Sequence, residues 1–293
     1  MEPSAHLFAP LTIRGVRFRN RIAVAPMSQY SSEDGFAGDW HLVHLGSRAV
    51  GGAAAVIGEA AAVEPRGRIS PNDLGIWKDE HIGGLARIAR FVKQQGAVPG
   101  IHLAHAGRKA STEPPWKGGS AIPPEAGGWQ TVAPSAIPFR PSDPVPAELN
   151  TAEIPGIVEG FRKGAENAKL AGFDGVEIHG ANGYLIDQFL QDGSNHRTDE
   201  YGGSIENRAR LMLEVADAAI SVWGAKRVGM HLAPRGDSQD MHDSNPPATF
   251  GYVARELGRR GLGFLLAREY FGPDRLGPQL KKQFGGVYIA NEK

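Results

Sequence analysis

The chain has 293 residues, of which 41% are hydrophobic and 22% charged, and its formal net charge at pH 7 is zero. These values are typical of a folded protein of one or two domains, and they exclude the basic surface that binds nucleic acid or an anionic membrane. The chain has no cysteine, which excludes thiol catalysis, disulfides and iron–sulfur clusters. No apolar run approaches ~20 residues and no signal-peptide pattern opens the chain, so we expect a cytoplasmic protein without a membrane span.

Short buried strands alternate with amphipathic helices along almost the whole chain. A small hairpin precedes the first strand, at residues 21–26, and the predicted helices lie at 39–50, 81–95, 151–171, 205–223, 248–260 and just before the last strand. Each connection is long enough to be a crossover, which requires a parallel sheet. Seven repeats of similar size predict a TIM-type (β/α)8 barrel with only seven of its strands present. We therefore expect residues 1–293 to form one α/β-barrel domain that lacks the eighth βα unit.

A long Gly-, Pro- and Trp-rich segment, residues 106–149, interrupts this alternation without any periodicity. A loop of such length inside a compact domain is usually functional, so we expect it to lie over the barrel mouth. Arg108 and Lys109 at its start could bind an anion, although loop arginines usually brace loops. Farther along, Ser204 has the position of a helix N-cap, which gives its surrounding motif a structural explanation.

Three histidines end adjacent predicted strands. His102, His179 and His231 follow the third, fourth and fifth strands, at the edge where parallel α/β proteins place their functional side chains. The residues alone permit two kinds of site. One is a three-histidine metal site with an open position for water. The other is a row of hydrogen-bond donors along a planar, electron-accepting cofactor.

The end of the fourth strand adds an amide and a phenol, Asn182 and Tyr184, to His179. Two donors beside a proton donor suit a substrate whose oxygen gains negative charge while a nearby carbon is protonated. We therefore expect the chemistry of the protein to take place at this strand end.

Five separated motifs resemble those of the Old Yellow Enzyme family of FMN-dependent ene-reductases. They are N-R-I-A-V-A-P-M-S-Q-Y, W-H-L-V-H-L-G-S-R-A-V-G-G, H-L-A-H-A-G-R-K-A-S, H-G-A-N-G-Y-L and N-H-R-T-D-E-Y-G-G-S-I-E-N-R. The resemblance runs from about Leu7 to the last residue. It implies an eight-stranded α/β barrel with FMN at its carboxyl-end mouth and no metal ion. It also implies NADPH or NADH as hydride donor and reduction of activated C=C bonds in enones, enals, maleimides or nitro compounds.

The resemblance also implies a role for each matching residue. The flavin-binding positions would be Pro26, Met27, Ser28, Ala60, His102, His231, Ala290 and Asn291. His179 and Asn182 would hold the substrate oxygen, and Tyr184 would donate a proton to the α-carbon. Tyr30 would help to close the substrate pocket.

The sequence departs from the family at the flavin pyrimidine. The family usually has Gln where His102 stands and often Arg where His231 stands. A neutral histidine lacks the fixed positive charge that stabilises reduced flavin. We therefore expect His231 to be protonated, or another cation to take over its role.

Two further departures from the family concern the phosphate site and the features that distinguish its branches. Of the family's phosphate site only Ala290 and Asn291 can be present, because the rest follows the eighth strand. The first half of the chain, with Tyr30, has the marks of one branch of the family, whereas the His179 and Asn182 pair is typical of another. These marks fit either a hybrid of two branches or an unusual natural branch.

An open barrel exposes two sheet edges, so we expect a second copy or a complementing segment to pair there. Two alternatives to the ene-reductase stay open. The first is a barrel that keeps the scaffold but binds flavin weakly and catalyses no reaction. The second is a metal-dependent hydrolase built on the three histidines, for which no carboxylate is obviously placed as general base.

Overall fold

The computed structural model describes residues 6–235 and 240–292. The strands are β1 (Leu11–Ile13), β2 (Val16–Phe18), β3 (Ala23–Val24), β4 (Ala55–Ala62), β5 (Val98–Ala104), β6 (Val132–Ala133), β7 (Ala147–Glu148), β8 (Val176–Gly180), β9 (Val228–Leu232), β10 (Phe264–Glu269) and β11 (Val287–Glu292). The α-helices are α1 (Asp39–Val50), α2 (Ile82–Gln94), α3 (Ile154–Leu170), α4 (Leu185–Leu190), α5 (Ile205–Trp223), α6 (Pro246–Arg259) and α7 (Gly277–Phe284). None of the helices in the described residues combines the length and apolar character needed to cross a membrane.

The central sheet contains seven strands in the order β3-β4-β5-β8-β9-β10-β11, and all neighbours are parallel. This order follows the chain, as the crossover pattern predicts. Within the described residues β3 and β11 are the edge strands. The second copy or complementing segment expected at these edges stays a prediction.

The sheet is curled into the wall of a TIM-type barrel. Neighbouring strands lie ~4.8 Å apart, so side chains two strands apart on a flat sheet would be separated by roughly 9–10 Å. The ring centroids of His102 on β5 and His231 on β9 are only 5.8 Å apart, although β8 runs between them. The inner face of the sheet is therefore concave, and the predicted barrel architecture is confirmed.

The helices cover the outer face of the sheet with their apolar stripes. In α3 the buried residues Ile154, Ile157, Phe161 and Ala165 recur at helical spacing and join the main core. Ser204 is the N-cap of helix α5, and its hydroxyl accepts a hydrogen bond from the backbone N–H of Asn207 at 3.3 Å. This capping interaction confirms the structural explanation predicted for that motif.

The hairpin of β1 and β2 lies at the amino ends of the barrel strands. Its side chains Ile13, Val16 and Phe18 enclose an apolar cavity of about 100 Å³ together with strand-start residues such as Ala55 and Val98. The amino end of the barrel is thus lined by apolar groups. Polar side chains collect at the carboxyl end.

One strand is shorter than predicted, and one short helix was not predicted. The first strand pairs only over Ala23–Val24, because the chain leaves the sheet before Pro26, which has no N–H to donate to a ladder. Helix α4 follows the H-G-A-N-G-Y-L motif directly and was not predicted. It is only six residues long, too short to show a helical repeat.

The segment 106–149 is irregular but well braced. It contains three short 3-10 turns and the β6–β7 pair. Arg108 donates hydrogen bonds to the carbonyls of Ile137 and Pro138, and Arg197 donates to those of Pro134 and Leu149. For Arg108 the bracing interpretation is confirmed.

Candidate functional site

The turn after β8 places Asn182 and Tyr184 at the barrel mouth. Asn182 and Gly183 both adopt left-handed backbone conformations, with φ of 58° and 72°. Asparagine tolerates this region better than most residues. The buried carboxylate of Asp187 accepts a hydrogen bond from the N–H of Gly183 at 2.9 Å, and this contact fixes the turn.

Two basic side chains hold Asn182, one through its side chain and one through its backbone. Arg268, near the end of β10, donates from Nη1 to Oδ1 of Asn182 at 2.9 Å. Lys109 donates from Nζ to the backbone carbonyl of the same residue, also at 2.9 Å. Because the amide oxygen is held by Arg268, the amide N–H groups are the part of Asn182 directed toward a ligand.

Tyr184 lies against both His179 and Lys109. The His179 and Tyr184 ring centroids are 4.9 Å apart, and Lys109 Nζ is 4.4 Å from the Tyr184 ring centroid. Burial raises the pKa of Tyr184 above its usual value. Burial also lowers the pKa of Lys109 to about 7 and that of His179 well below its usual value, so the His179 imidazole is neutral at pH 7.

Two spaces meet at Tyr184. The larger one is a cavity of about 360 Å³ that Tyr30 and Lys109 line together with residues of the 106–149 segment. The smaller one is bordered by Ala60, Asp73 and His179. Tyr184 borders both spaces, so its hydroxyl group lies between a substrate-sized cavity and the inner histidine.

Behind Tyr184 the three histidines of β5, β8 and β9 converge. His102 Nε2 lies 2.5 Å from His179 Nδ1, and His102 Nδ1 lies 2.7 Å from a carboxylate oxygen of Glu177. The His179 and His231 ring centroids are 5.3 Å apart. All four side chains are buried.

His231 differs from its neighbours because neither of its ring nitrogens has a hydrogen-bond partner among the residues that the structure describes. Burial lowers the pKa of His231 to about 4, with a further decrease from the charge of Arg268. The expectation that His231 is protonated at pH 7 is therefore not supported. The alternative, that another cation takes over this role, stays a prediction, and Arg268 is a cation whose charge reaches His231.

The structure brings most of the predicted site residues together. Those at the inner site and its cavity are Tyr30, Ala60, His102, His179, Asn182, Tyr184 and His231. Ser28 contributes a side-chain hydrogen bond to Tyr30, and burial raises the Tyr30 pKa to about 12. The remaining positions lie at the two edge strands of the sheet: Pro26 and Met27 after β3, and Ala290 and Asn291 in β11, where Asn291 pairs in register with Arg268.

Sequence reasoning missed Glu177 and Arg268, and for Lys109 it offered only a role in anion binding or loop bracing. A signal existed for the first two. Glu177 stands two residues before His179 on the same strand face, and Arg268 stands near the end of the sixth barrel strand. The position of Lys109 depends on the fold of the 106–149 segment, which has no periodicity.

The fold and the site define an α/β barrel of the flavin oxidoreductase type. The family model described as "NADH:flavin oxidoreductase / NADH oxidase family" matches residues 6–267. The chain belongs to this family, which confirms the predicted relation to Old Yellow Enzyme.

Curated relatives of the chain include two bacterial NADPH dehydrogenases. The chain is 49% identical over 219 residues to that of Geobacillus sp. (strain WCH70) and 47% identical over 219 residues to that of Bacillus subtilis (strain 168). Each match covers 74% of this chain and 60% of the relative, so the chain matches well under two thirds of the length of these proteins.

Solved structures of the family superpose over nearly the whole chain. Morphinone reductase in complex with tetrahydroNAD matches with a TM-score of 0.87 and 36% identity, covering 97% of this chain and 79% of that one. The Old Yellow Enzyme homologue from Zymomonas mobilis matches with a TM-score of 0.87 and 32% identity, covering 98% and 82%.

Proposed function

We propose that this chain is an FMN-dependent oxidoreductase that reduces activated C=C bonds of α,β-unsaturated carbonyl or nitro compounds, with NADPH or NADH as the hydride source. The family, the names of its relatives and the tetrahydroNAD complex of morphinone reductase support the flavin and nicotinamide parts. The observation that carries the substrate class is the position of Tyr184, between His179 and a cavity of about 360 Å³.

The residues at the mouth fit FMN. Ala60, Ala62 and Ala104 give the wall beside His179 small side chains, against which a planar ring would lie. The partnerless nitrogens of His231 offer hydrogen bonds to a pyrimidine edge, and Arg268 supplies a fixed positive charge. We therefore assign flavin binding to these groups, to His102, to Pro26–Met27–Ser28 after β3 and to Ala290–Asn291 in β11. Bound FMN would supply the hydride.

His179 and Asn182 would polarise the substrate oxygen. Asn182 donates from the amide N–H groups that Arg268 leaves for a ligand. His179 can donate from Nε2 when its Nδ1 accepts a hydrogen bond from the Nε2–H of His102. The Glu177 carboxylate lies 2.7 Å from His102 Nδ1 and places a negative charge beside that ring. The two donors lower the free energy of the enolate-like charge.

Tyr184 would protonate the α-carbon. Its raised pKa makes it a weak acid, which suits the strongly basic carbon that it must meet. Lys109 Nζ lies 4.4 Å from the centre of the phenol ring, and in its protonated form it would stabilise the phenolate that remains after proton transfer. Tyr30 lines the same cavity and would limit the size of the substrate.

The purified protein tests this proposal directly. We expect incubation with FMN to give a yellow protein with one flavin per chain after gel filtration, and we expect NADPH to bleach its visible absorption. Addition of 2-cyclohexen-1-one or a nitroalkene should then restore the oxidised spectrum without oxygen. A protein that stays colourless with excess FMN would remove the flavin assignment, and reoxidation by oxygen alone would remove the alkene assignment.

A further inference from the structure

We propose that the larger cavity at Tyr184 takes activated alkenes that carry a carboxylate at the end remote from the reacting double bond, and that Arg140 recognises this carboxylate. The inference rests on the proposed function, because it names the substrate class of the same site. It adds to that function the charge of the substrate and its orientation in the cavity.

The first observation is the order of the side chains along one wall of the cavity. Tyr184, Lys109, Phe139 and Arg140 all line it. Lys109 Nζ lies 4.4 Å from the ring centroid of Tyr184 and 4.9 Å from that of Phe139. The guanidinium carbon of Arg140 lies 5.2 Å from the same Phe139 centroid. These contacts lead from the proposed proton donor to Arg140 through one aromatic ring, so a ligand that fills the cavity meets both groups.

The second observation is the uneven charge of the lining. Among the described residues that line the cavity, Arg108, Lys109 and Arg140 are basic, whereas Asp143 is acidic. Arg108 is engaged by Asp240 and by loop carbonyls. Burial lowers the pKa of Lys109 to about 7, and the charges of Arg108 and Arg140 contribute to the decrease. A bound anion would offset this repulsion between cations.

The third observation is the unused hydrogen-bonding capacity of Arg140. Its side chain is exposed and forms no ion pair or hydrogen bond with the residues that the structure describes. Only its backbone takes part in the turn, where its carbonyl accepts a hydrogen bond from the N–H of Asp143 at 2.9 Å. A guanidinium has five N–H donors in a fixed plane, and a carboxylate accepts two of them in parallel. Arg140 therefore has the donors that a carboxylate requires.

These observations define the substrate by its parts. The alkene would lie at Tyr184, beside the donors proposed for the carbonyl oxygen. The middle of the molecule would pack against Phe139 and Trp129, which both line the cavity. The carboxylate would pair with Arg140. Benzylideneacetone with a para-carboxylate has these parts in this order, and the same ketone with a para-carboxamide matches it in size but has no charge.

Two saturated ligands test the recognition at equilibrium, because they cannot be reduced. They are benzylacetone with a para-carboxylate and benzylacetone with a para-carboxamide. With FMN added to the protein, we expect calorimetry to show that the carboxylate binds about ten- to a hundredfold more tightly, since hydrogen bonds to charged groups are that strong. Arg140→Gln should remove the difference, and Arg140→Lys should keep part of it. Arg90→Gln, at an exposed position of helix α2, is the matched control and should keep it fully.

Equal affinities of the two ligands for the wild-type protein, or a difference that survives Arg140→Gln, would overturn the proposal. Turnover separates it from the proposed function. The KM of the unsaturated carboxylate should be lower than that of the unsaturated carboxamide by a similar factor, with similar kcat. If both are reduced with equal KM, the recognition of the carboxylate is wrong and the alkene reduction stands. If the saturated carboxylate binds more tightly but neither alkene is reduced, the recognition stands and the reaction is wrong.

The phosphate of NADPH is a second possible source of an anion at this position, and a comparison with NADH distinguishes it. Arg140→Gln should leave the ratio of the KM values for NADPH and NADH unchanged. A rise in the KM for NADPH alone, with the affinity for the carboxylate unaltered, would assign Arg140 to the nicotinamide cofactor and overturn the proposal.

Discussion

The two halves of the barrel mouth treat their polar groups differently. In the half after β8, each group has an orienting neighbour: Arg268 holds the Asn182 amide, and Lys109 lies over Tyr184. In the half formed by the inner side chains of β5 and β9, His231 has no hydrogen-bond partner among the described residues, and His102 lies 2.7 Å from the Glu177 carboxylate of β8. The first half is preorganised for one geometry. The second half keeps ligand atoms that a bound group must satisfy.

The largest effect should follow from removing the proton donor of the preorganised half. Tyr184→Phe should slow alkene reduction by about 10²–10⁴-fold, because proton transfer from a positioned acid contributes that much. Flavin reduction by NADPH should change little, and rapid-mixing absorbance separates the two half-reactions. Tyr252→Phe, on the outer helix α6, is the matched control. Equal slowing of both half-reactions would remove Tyr184 from this role.

Replacing His102 and His231 should give the half formed by β5 and β9 fixed hydrogen-bond partners as well. The double variant His102→Gln/His231→Arg gives Glu177 a guanidinium partner and the site a second fixed charge. We expect FMN affinity to rise about tenfold or more, since hydrogen bonds to charged groups contribute about 1.5–3 kcal/mol. Fluorescence titration of FMN measures the affinity. His102→Gln/His231→Gln lacks the charge, and an equal gain there would contradict the explanation.

Loss of the orienting cation should make the two halves more alike. Arg268→Gln should raise the KM for an enone about tenfold, because the Asn182 amide loses its charged partner. Arg255→Gln, at an exposed position of α6, serves as control. In a double-mutant cycle Arg268→Gln and Asn182→Ala should be strongly non-additive. Additive effects would mean that Arg268 acts independently of Asn182.

The smallest effect concerns Asp73, which borders both Ala60 and Tyr184. Burial raises the pKa of this carboxyl to about 8, and the charge of Glu59 contributes to the increase. The folded state then holds a proton that the unfolded state releases near pH 4. The resulting contribution to stability is complete below ~pH 4 and is lost as the pH rises through about 8.

We therefore expect Asp73→Asn to flatten the decrease in the free energy of unfolding between pH 5 and 8, by at most about 1.4 kcal/mol per pH unit. Urea denaturation at several pH values measures this slope. The matched control is Asp143→Asn, in the 106–149 segment, which should keep the wild-type slope. A wild-type slope in Asp73→Asn would show that the carboxyl is ionised in the folded state.

The sequence predicts the strand order, because each crossover carries its own helical repeat and parallel strands leave few topologies. It also predicts the grouping of His102, His179 and His231, because strand ends meet at one edge of the sheet. It could not predict the contacts among these rings, which depend on the curvature of the sheet. The contacts of Lys109 and Arg268 could not be predicted for a related reason. Both side chains are long and contact residues that are far away in the sequence.

The bracing of the 106–149 segment has a consequence for how the site can change. Arg197 and Arg108 hold its last third through the carbonyls of four residues, Pro134, Ile137, Pro138 and Leu149. Residues 114–121 lie between these contacts and the hydrogen bonds that tie Trp129 to Ser111 and to the Arg66 carbonyl, and several of them line the larger cavity. Insertions and deletions there would change the shape of the larger cavity, and they would leave the barrel strands and their histidines in place. Selection of variants in this stretch is thus a route to altered substrate preference at little cost in folding.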